Sequence, residues 1–482
     1  MNDFERTPEE IERLGRLAAE AVAGERARLL DRPVFERIGG GAPLFAEPLP
    51  EEGAPFEEVL AFVRRHVLPH PTGSHHPRYY GFVNASADPV AVVADYLAAS
   101  MNTNCWGGDH APNHVEKTTL AWLAELLGLP GSAEGVLVSG GSAANWTALA
   151  AARSAVVPNV REEGMGRAGR PSPVVYASDQ VHSCVDKAVD LLGFGTRSLR
   201  KLPAGPDFRL RVADLRAAID ADRRAGLAPA IVVGSAGTVN TGAIDPLDEI
   251  AELCREEGLW FHVDGAYGAL ARLSPKLAPL FAGMEKADSL AADPHKWLFV
   301  PFAAGAAFVR EPGRLSHAFR KFPEYLETSP EAPLSGPVWF AERGVELSRS
   351  FRALKIWMGL KVHGRKAYAE TIERNVDLAR ILSERVDGRR DLERLSAPVL
   401  SIANFRYRPA GRRLSETELN ALNRAIIYRI VEEGSAFVYP TVLNGKTSIR
   451  VCIVNFRTGQ DDVEALLDDV ERVGGELLRS AA

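Results

Sequence analysis

Between residues 135 and 309 the chain repeats one pattern, a short unbroken run of apolar, strand-forming residues followed by a longer stretch of helical periodicity. The runs are GVLVS, SPVVYAS, PAIVVGS, LWFHVD, ADSLAAD and GAAFV. A strand that is apolar on both faces must be covered on both faces, and the helices between the runs supply the cover. The pattern therefore predicts an α/β fold with a mostly parallel sheet between helical layers. In such sheets ligands bind beyond the carboxyl ends of the strands. The polar residues directly after each run are thus the ones to inspect for chemistry.

With 482 residues the chain is too long for a single core, and two or three units are expected. We place an N-terminal helical segment at 1–80, a large sheet-bearing domain at 81–350 and a smaller α+β domain at 351–482. Thr7, Pro8 and Glu10 form a capping box with proline at the first helical position, so a helix is expected from there to about Leu30. The run Gly39–Gly41 follows no strand and is expected to be a flexible connection. After about Phe351 we expect a long helix, a strand near VLSIANF, a helix from Glu416 to Glu432, strands near AFVYP and SIRVCIV, and a closing helix from Asp461.

A formal net charge of −6 gives no basic field of the kind nucleic acid requires. Cys105, Cys184, Cys254 and Cys452 are widely spaced and show no zinc-binding pattern, which fits reduced thiols and no metal. The first residues are too charged for a secretory signal, and no window offers the roughly 20 apolar residues of a membrane span, so a cytoplasmic protein is expected.

Two strand ends carry the strongest chemistry. LWFHVDGAYGA ends its strand in Asp264, followed by Gly265 and Ala266, which are small enough to let a flat ligand lie against the backbone. Another strand runs into Asp293-Pro294-His295-Lys296-Trp297, which puts Lys296 thirty-two positions after Asp264. A carboxylate for a pyridinium nitrogen and an amine for an aldehyde at one sheet edge are what pyridoxal phosphate requires, because its ring accepts electrons well only while its nitrogen is protonated. A phosphate anchor is offered where GVLVS runs into Gly140-Gly141-Ser142-Ala143-Ala144-Asn145 and a helical stretch, since a helix start favours an anion. SPVVYAS leads into His182, whose imidazole can stack on a ring opposite Ala266 or simply cap the next helix.

On HVDGAYGA, DPHKW and DQVHS, with HPRYYGFV, GGSAAN and SIRVCIV in support, the chain from about His76 to Arg457 resembles the group II pyridoxal-phosphate decarboxylases, which include aromatic-L-amino-acid, histidine and glutamate decarboxylases. The resemblance implies an aspartate-aminotransferase-like (fold type I) large domain with a seven-stranded sheet, and a homodimer with active sites at the subunit interface. It implies catalytic roles for Lys296 as the Schiff-base lysine, Asp264 as the ring-nitrogen partner, His182 as the stacked residue and Tyr325 as the proton donor in the loop FPEYLETSPEAPLSG. Gly141, Ser142, Ser235, Ala266, Asp293 and His295 complete the implied cofactor-binding set, and Phe82, Val83, Ala85 and Trp106 join His182 on the substrate side.

This sequence also departs from the family pattern. Asp293 stands where animal aromatic decarboxylases have asparagine, and its charge would repel phosphate unless it is paired or held away. Ala85 replaces a threonine, and the run NTNCW leans toward glutamate decarboxylases. Phe82, Val83 and Trp106 favour an aromatic substrate. The competing readings are a glutamate or other acidic amino-acid decarboxylase, an aminotransferase or desulfurase using Arg450 for the substrate carboxylate, and an inactive scaffold that kept the fold.

Overall fold

The computed structural model describes residues 4–39, 42–166, 171–321, 336 and 338–480. All six apolar runs form strands. In chain order the strands of the large sheet are β1 (Glu134–Val138), β2 (Pro173–Ser178), β3 (Leu199–Leu202), β4 (Ala228–Ser235), β5 (Trp260–Gly265), β6 (Ser289–Ala292) and β7 (Gly305–Val309). They lie in the order β1-β7-β6-β5-β4-β2-β3. β7 pairs antiparallel with β1 and β6, and every other pairing is parallel. This is the mostly parallel, seven-stranded α/β sheet of fold type I. β3, with the sequence LRKL, has no apolar run because it lies at the sheet edge and is only partly buried.

The N-terminal helix spans Pro8–Ala27, with the expected capping box between Thr7 and Glu10. The C-terminal part forms a second, antiparallel sheet from β8 (Leu392–Arg394), β9 (Ile402–Tyr407), β10 (Tyr439–Leu443) and β11 (Lys446–Cys452), in the order β10-β11-β9-β8. Helices Ala353–Asp387, Glu416–Glu433 and Gln460–Ser480 accompany it, the first bent at Gly364, whose φ of 70° is left-handed. Phe405, Ile427, Ile449, Val451 and Val470 belong to its core. The expected strand at AFVYP begins only at Tyr439. Phe437 instead bonds the segment before the large sheet: its N–H donates to Arg78 O at 3.0 Å, and Tyr80 N–H donates back to Phe437 O at 2.8 Å. That stitch fixes the chain just ahead of Phe82 and Val83.

Register then aligns the strand ends. Ser235 lies opposite Asp264 across β4 and β5, and Ala292 lies opposite Gly265 across β5 and β6, so Asp293 follows directly beyond the edge. A buried ion pair fixes β1 from the other side: Arg349 Nη2 lies 2.5 Å from Glu116 Oε1 and donates to Leu137 O at 2.9 Å. Among the described residues no helix is long and apolar enough to cross a membrane. No group of three or more metal-binding side chains comes together there either.

Candidate active site

A cavity of about 540 Å³ opens at the carboxyl ends of the strands. Eleven of the sequence candidates line it: Phe82, Val83, Gly141, Ser142, His182, Ser235, Asp264, Ala266, Asp293, His295 and Lys296. Ala85 and Trp106 are not on its wall. The Ala85 methyl is buried in the main core, and the Trp106 ring packs edge-on against Trp339 with centroids 5.4 Å apart. Tyr325 lies outside the described residues.

The lysine end is built by one helical turn, Pro294–Trp297, directly after β6. Lys296 Nζ lies 3.0 Å from Asp293 Oδ2, so the charge that would oppose a phosphate is paired. Asp293 is 2% exposed, and its Oδ1 has no hydrogen-bond partner among the described residues. Burial lowers the pKa of His295 and favours its neutral form. Its Nδ1, 2.7 Å from Ala304 O, must then carry the proton, leaving Nε2 toward Asp293. A Cβ on Gly141 would lie 2.6 Å from Asp293 Oδ2 and 2.7 Å from Ala266 Cβ, so only glycine fits at this helix start.

The other end centres on Asp264, which is 7% exposed. Its Oδ1 accepts from Asn145 Nδ2 at 3.1 Å and from Ala266 N at 3.2 Å, while among the described residues Oδ2 has only the Cys184 Sγ at 4.0 Å. One oxygen is tied down and the other is left for a ligand. His182 serves as a cap and as wall at once: its Nδ1 accepts from Cys184 N at 3.2 Å at the start of helix Ser183–Leu191, and its side chain lines the cavity. Gly265 does not line it. A Cβ there would meet Ala269 Cβ at 2.4 Å and Ala291 O at 2.9 Å, so its smallness serves packing and only Ala266 faces a ligand.

Sequence reasoning passed over Thr238, Cys184 and Phe302 on the wall, and Asn145 and His262 behind it. Thr238 stands three residues after β4 and falls under the same strand-end rule. His262 was accessible through strand alternation, since residues two apart project to the same face and Asp264 is two positions on.

Two histidines give a test in acid. Burial pushes His262 down to about 4, and burial with nearby Arg26 and Arg457 does the same to His75. As pH falls below the ordinary value of 6.5 the unfolded chain takes up these protons and the folded chain does not. The contribution of these two histidines to stability is therefore full above 6.5 and is lost toward 4, at about 1.4 kcal/mol per pH unit for each, while Asp245, raised to about 6 by burial, acts in the opposite sense. Urea unfolding of the cofactor-free chain between pH 6.5 and 4 should give a stability that falls less steeply in His262→Gln than in wild type. An equal slope in that variant would contradict the account.

These parts fit pyridoxal phosphate. Lys296 offers an amine for the aldehyde, Asp264 an open oxygen for the ring nitrogen, His182 and Ala266 flat or small surfaces for the ring, and the Gly141 helix start N–H groups for the phosphate. The family model described as the pyridoxal-dependent decarboxylase conserved domain matches residues 41–408. The chain belongs to this family. The decarboxylase is 37% identical over 473 residues to the aromatic-L-amino-acid decarboxylase of Bacillus atrophaeus, covering 97% of this chain and 96% of that one. It is 28% identical to the phenylacetaldehyde synthase of Petunia hybrida, covering 92% and 90%. Its fold superposes with a TM-score of 0.91 on the crystal structure of Oryza sativa TDC with PLP and tryptamine, at 27% identity and 99% coverage of both chains. The decarboxylase is thus a pyridoxal-phosphate-dependent carboxy-lyase of amino acids, in the group II family that its motifs resemble.

Proposed function

We propose that this decarboxylase removes the α-carboxylate of aromatic L-amino acids and releases the amine. The observation that carries the reading is the composition of one cavity, in which Lys296, Asp264 and His182 meet a side formed by Phe82, Val83 and Phe302. The described wall includes no arginine for a side-chain carboxylate, which speaks against glutamate. Arg450, the arginine an aminotransferase would use, is off the wall and donates to Val239 O at 2.6 Å and Gly81 O at 2.8 Å. The name of the Petunia relative carries an aldehyde product. We assign the amine here because the sequence supplies a tyrosine at 325, whose phenol would return a proton to the substrate carbon.

Bound pyridoxal phosphate supplies an electron sink for bond cleavage at the α-carbon. In this reading Lys296, paired with Asp293, would hold the cofactor through its aldehyde and supply the amine that releases product. Asp264 would keep the ring-nitrogen proton in place. His182 and Ala266 would bracket the ring, and Gly141, Ser142, Ser235 and His295 would hold the cofactor's polar end. The wall would select the bond that breaks by orienting the substrate's Cα–carboxylate bond. The test is which carboxyl-labelled amino acids yield carbon dioxide and amine together.

The working unit we propose is a cytoplasmic homodimer in which residues 1–80 serve dimerisation. In support, helix Pro89–Met101 leaves Val92, Val93, Tyr96, Leu97 and Met101 between 37% and 56% exposed, an apolar face that suits a second copy. Sedimentation at micromolar concentration should give twice the chain mass of 52.3 kDa. A single-chain mass would contradict the dimer.

A further inference from the structure

Behind Asp264 runs a file of polar side chains, buried except for the half-buried Trp260 at its far end, that the reaction above does not use. Trp260 Nε1 lies 2.8 Å from Ser289 Oγ, which lies 2.9 Å from His262 Nδ1. His262 Nε2 lies 2.7 Å from Asn145 Oδ1, and Asn145 Nδ2 lies 3.1 Å from Asp264 Oδ1. His262 and Asn145 are fully buried, and Ser289 is 1% exposed.

The direction of each bond is forced. A carboxylate only accepts, so Asn145 turns its nitrogen to Asp264 and its oxygen to His262. His262 must then carry a proton on Nε2, and in its buried neutral form it presents a bare Nδ1 to the Ser289 hydroxyl. An indole N–H only donates, so Trp260 gives to the Ser289 oxygen. Every donor in the file points toward Asp264. The Asn145 nitrogen also donates to Gly141 O at 2.9 Å, so one side chain holds both the helix start and the carboxylate.

We propose that Asn145 and His262 are positioning residues that act on the cofactor ring nitrogen through Asp264, by locking Oδ1 so that Oδ2 is presented to the ring. The inference rests on the assignment of Asp264 to that nitrogen. Without His262 the Asn145 amide can turn its oxygen against the carboxylate, and without Asn145 the carboxylate loses its only side-chain N–H donor among the described residues.

The test compares pyridoxal phosphate with its 1-deaza analogue, in which a carbon replaces the ring nitrogen while aldehyde and phosphate are unchanged. Cofactor-free wild type, Asn145→Ala, His262→Phe and His262→Gln are titrated with each, binding is read by absorbance, and circular dichroism checks the fold. Wild type should prefer the natural cofactor. Asn145→Ala and His262→Phe should lose about tenfold of that preference, the scale of one charge-assisted hydrogen bond, with affinity for the analogue nearly unchanged. His262→Gln, whose amide can still donate to Asn145, should keep most of it. Equal weakening of both ligands, or a preference that survives both Asn145→Ala and His262→Phe, would overturn the inference alone. A wild-type chain that binds the two ligands equally would overturn the Asp264 assignment with it.

Discussion

Lys296→Ala should lower turnover by at least about 10³-fold, on the scale of deleting a group that forms a covalent bond in the reaction. The same variant should lose the visible absorbance of the lysine-linked cofactor, and its fold should survive. Among the described residues the Lys296 side chain makes one ion pair, to Asp293, and its backbone hydrogen bonds survive truncation to alanine. What it leaves is Asp293, 2% exposed and without its cation. A modest fall in melting temperature is therefore expected alongside the chemical loss. Absorbance spectra with circular dichroism separate the two effects. Turnover within tenfold of wild type would remove Lys296 from the mechanism.

The second large effect is a change of product. Tyr325→Phe keeps the ring and deletes the phenol, which on this reading is the donor that protonates the substrate carbon once carbon dioxide has left. Decarboxylation should continue, while amine formation falls by roughly 10² to 10⁴, the range of a positioned proton donor. Dioxygen then takes the electron pair in place of a proton. Each turnover consumes one dioxygen and one water and releases carbon dioxide, aldehyde, ammonia and hydrogen peroxide. Oxygen uptake and amine yield, measured together, decide it. An unchanged amine yield without oxygen uptake would mean that another group gives the proton.

The central strands were legible because burial on both faces removes polar residues from them, leaving runs such as PAIVVGS and LWFHVD that admit few other readings. β3 and β8 were not, since an edge strand needs one apolar face at most and LRKL and LER offer little to see. Lys296, Asp264 and His182 stood out because they follow strands and project to one edge. Asn145 did not, because its polar groups are satisfied by His262 and Asp264 inside the protein, and a sequence shows residue types but not such pairings, even where strand alternation puts His262 on the face of Asp264. Gly265 was misread for a related reason. A small residue beside a ligand-binding carboxylate can serve the ligand or the packing behind it, and only the approach of Ala269 and Ala291 decides which. The pairing of Asp293 with Lys296 answered the one charge that the sequence left in conflict with a phosphate.

The account turns on what the cavity does to an aromatic amino acid. The most direct measurement incubates the cofactor-loaded enzyme with carboxyl-labelled phenylalanine, tyrosine, tryptophan and glutamate, and counts labelled carbon dioxide against amine. The account predicts equimolar carbon dioxide and amine from at least one aromatic acid, dependent on pyridoxal phosphate, and neither from glutamate. Keto-acid formation without carbon dioxide, or a preference for glutamate, would contradict it.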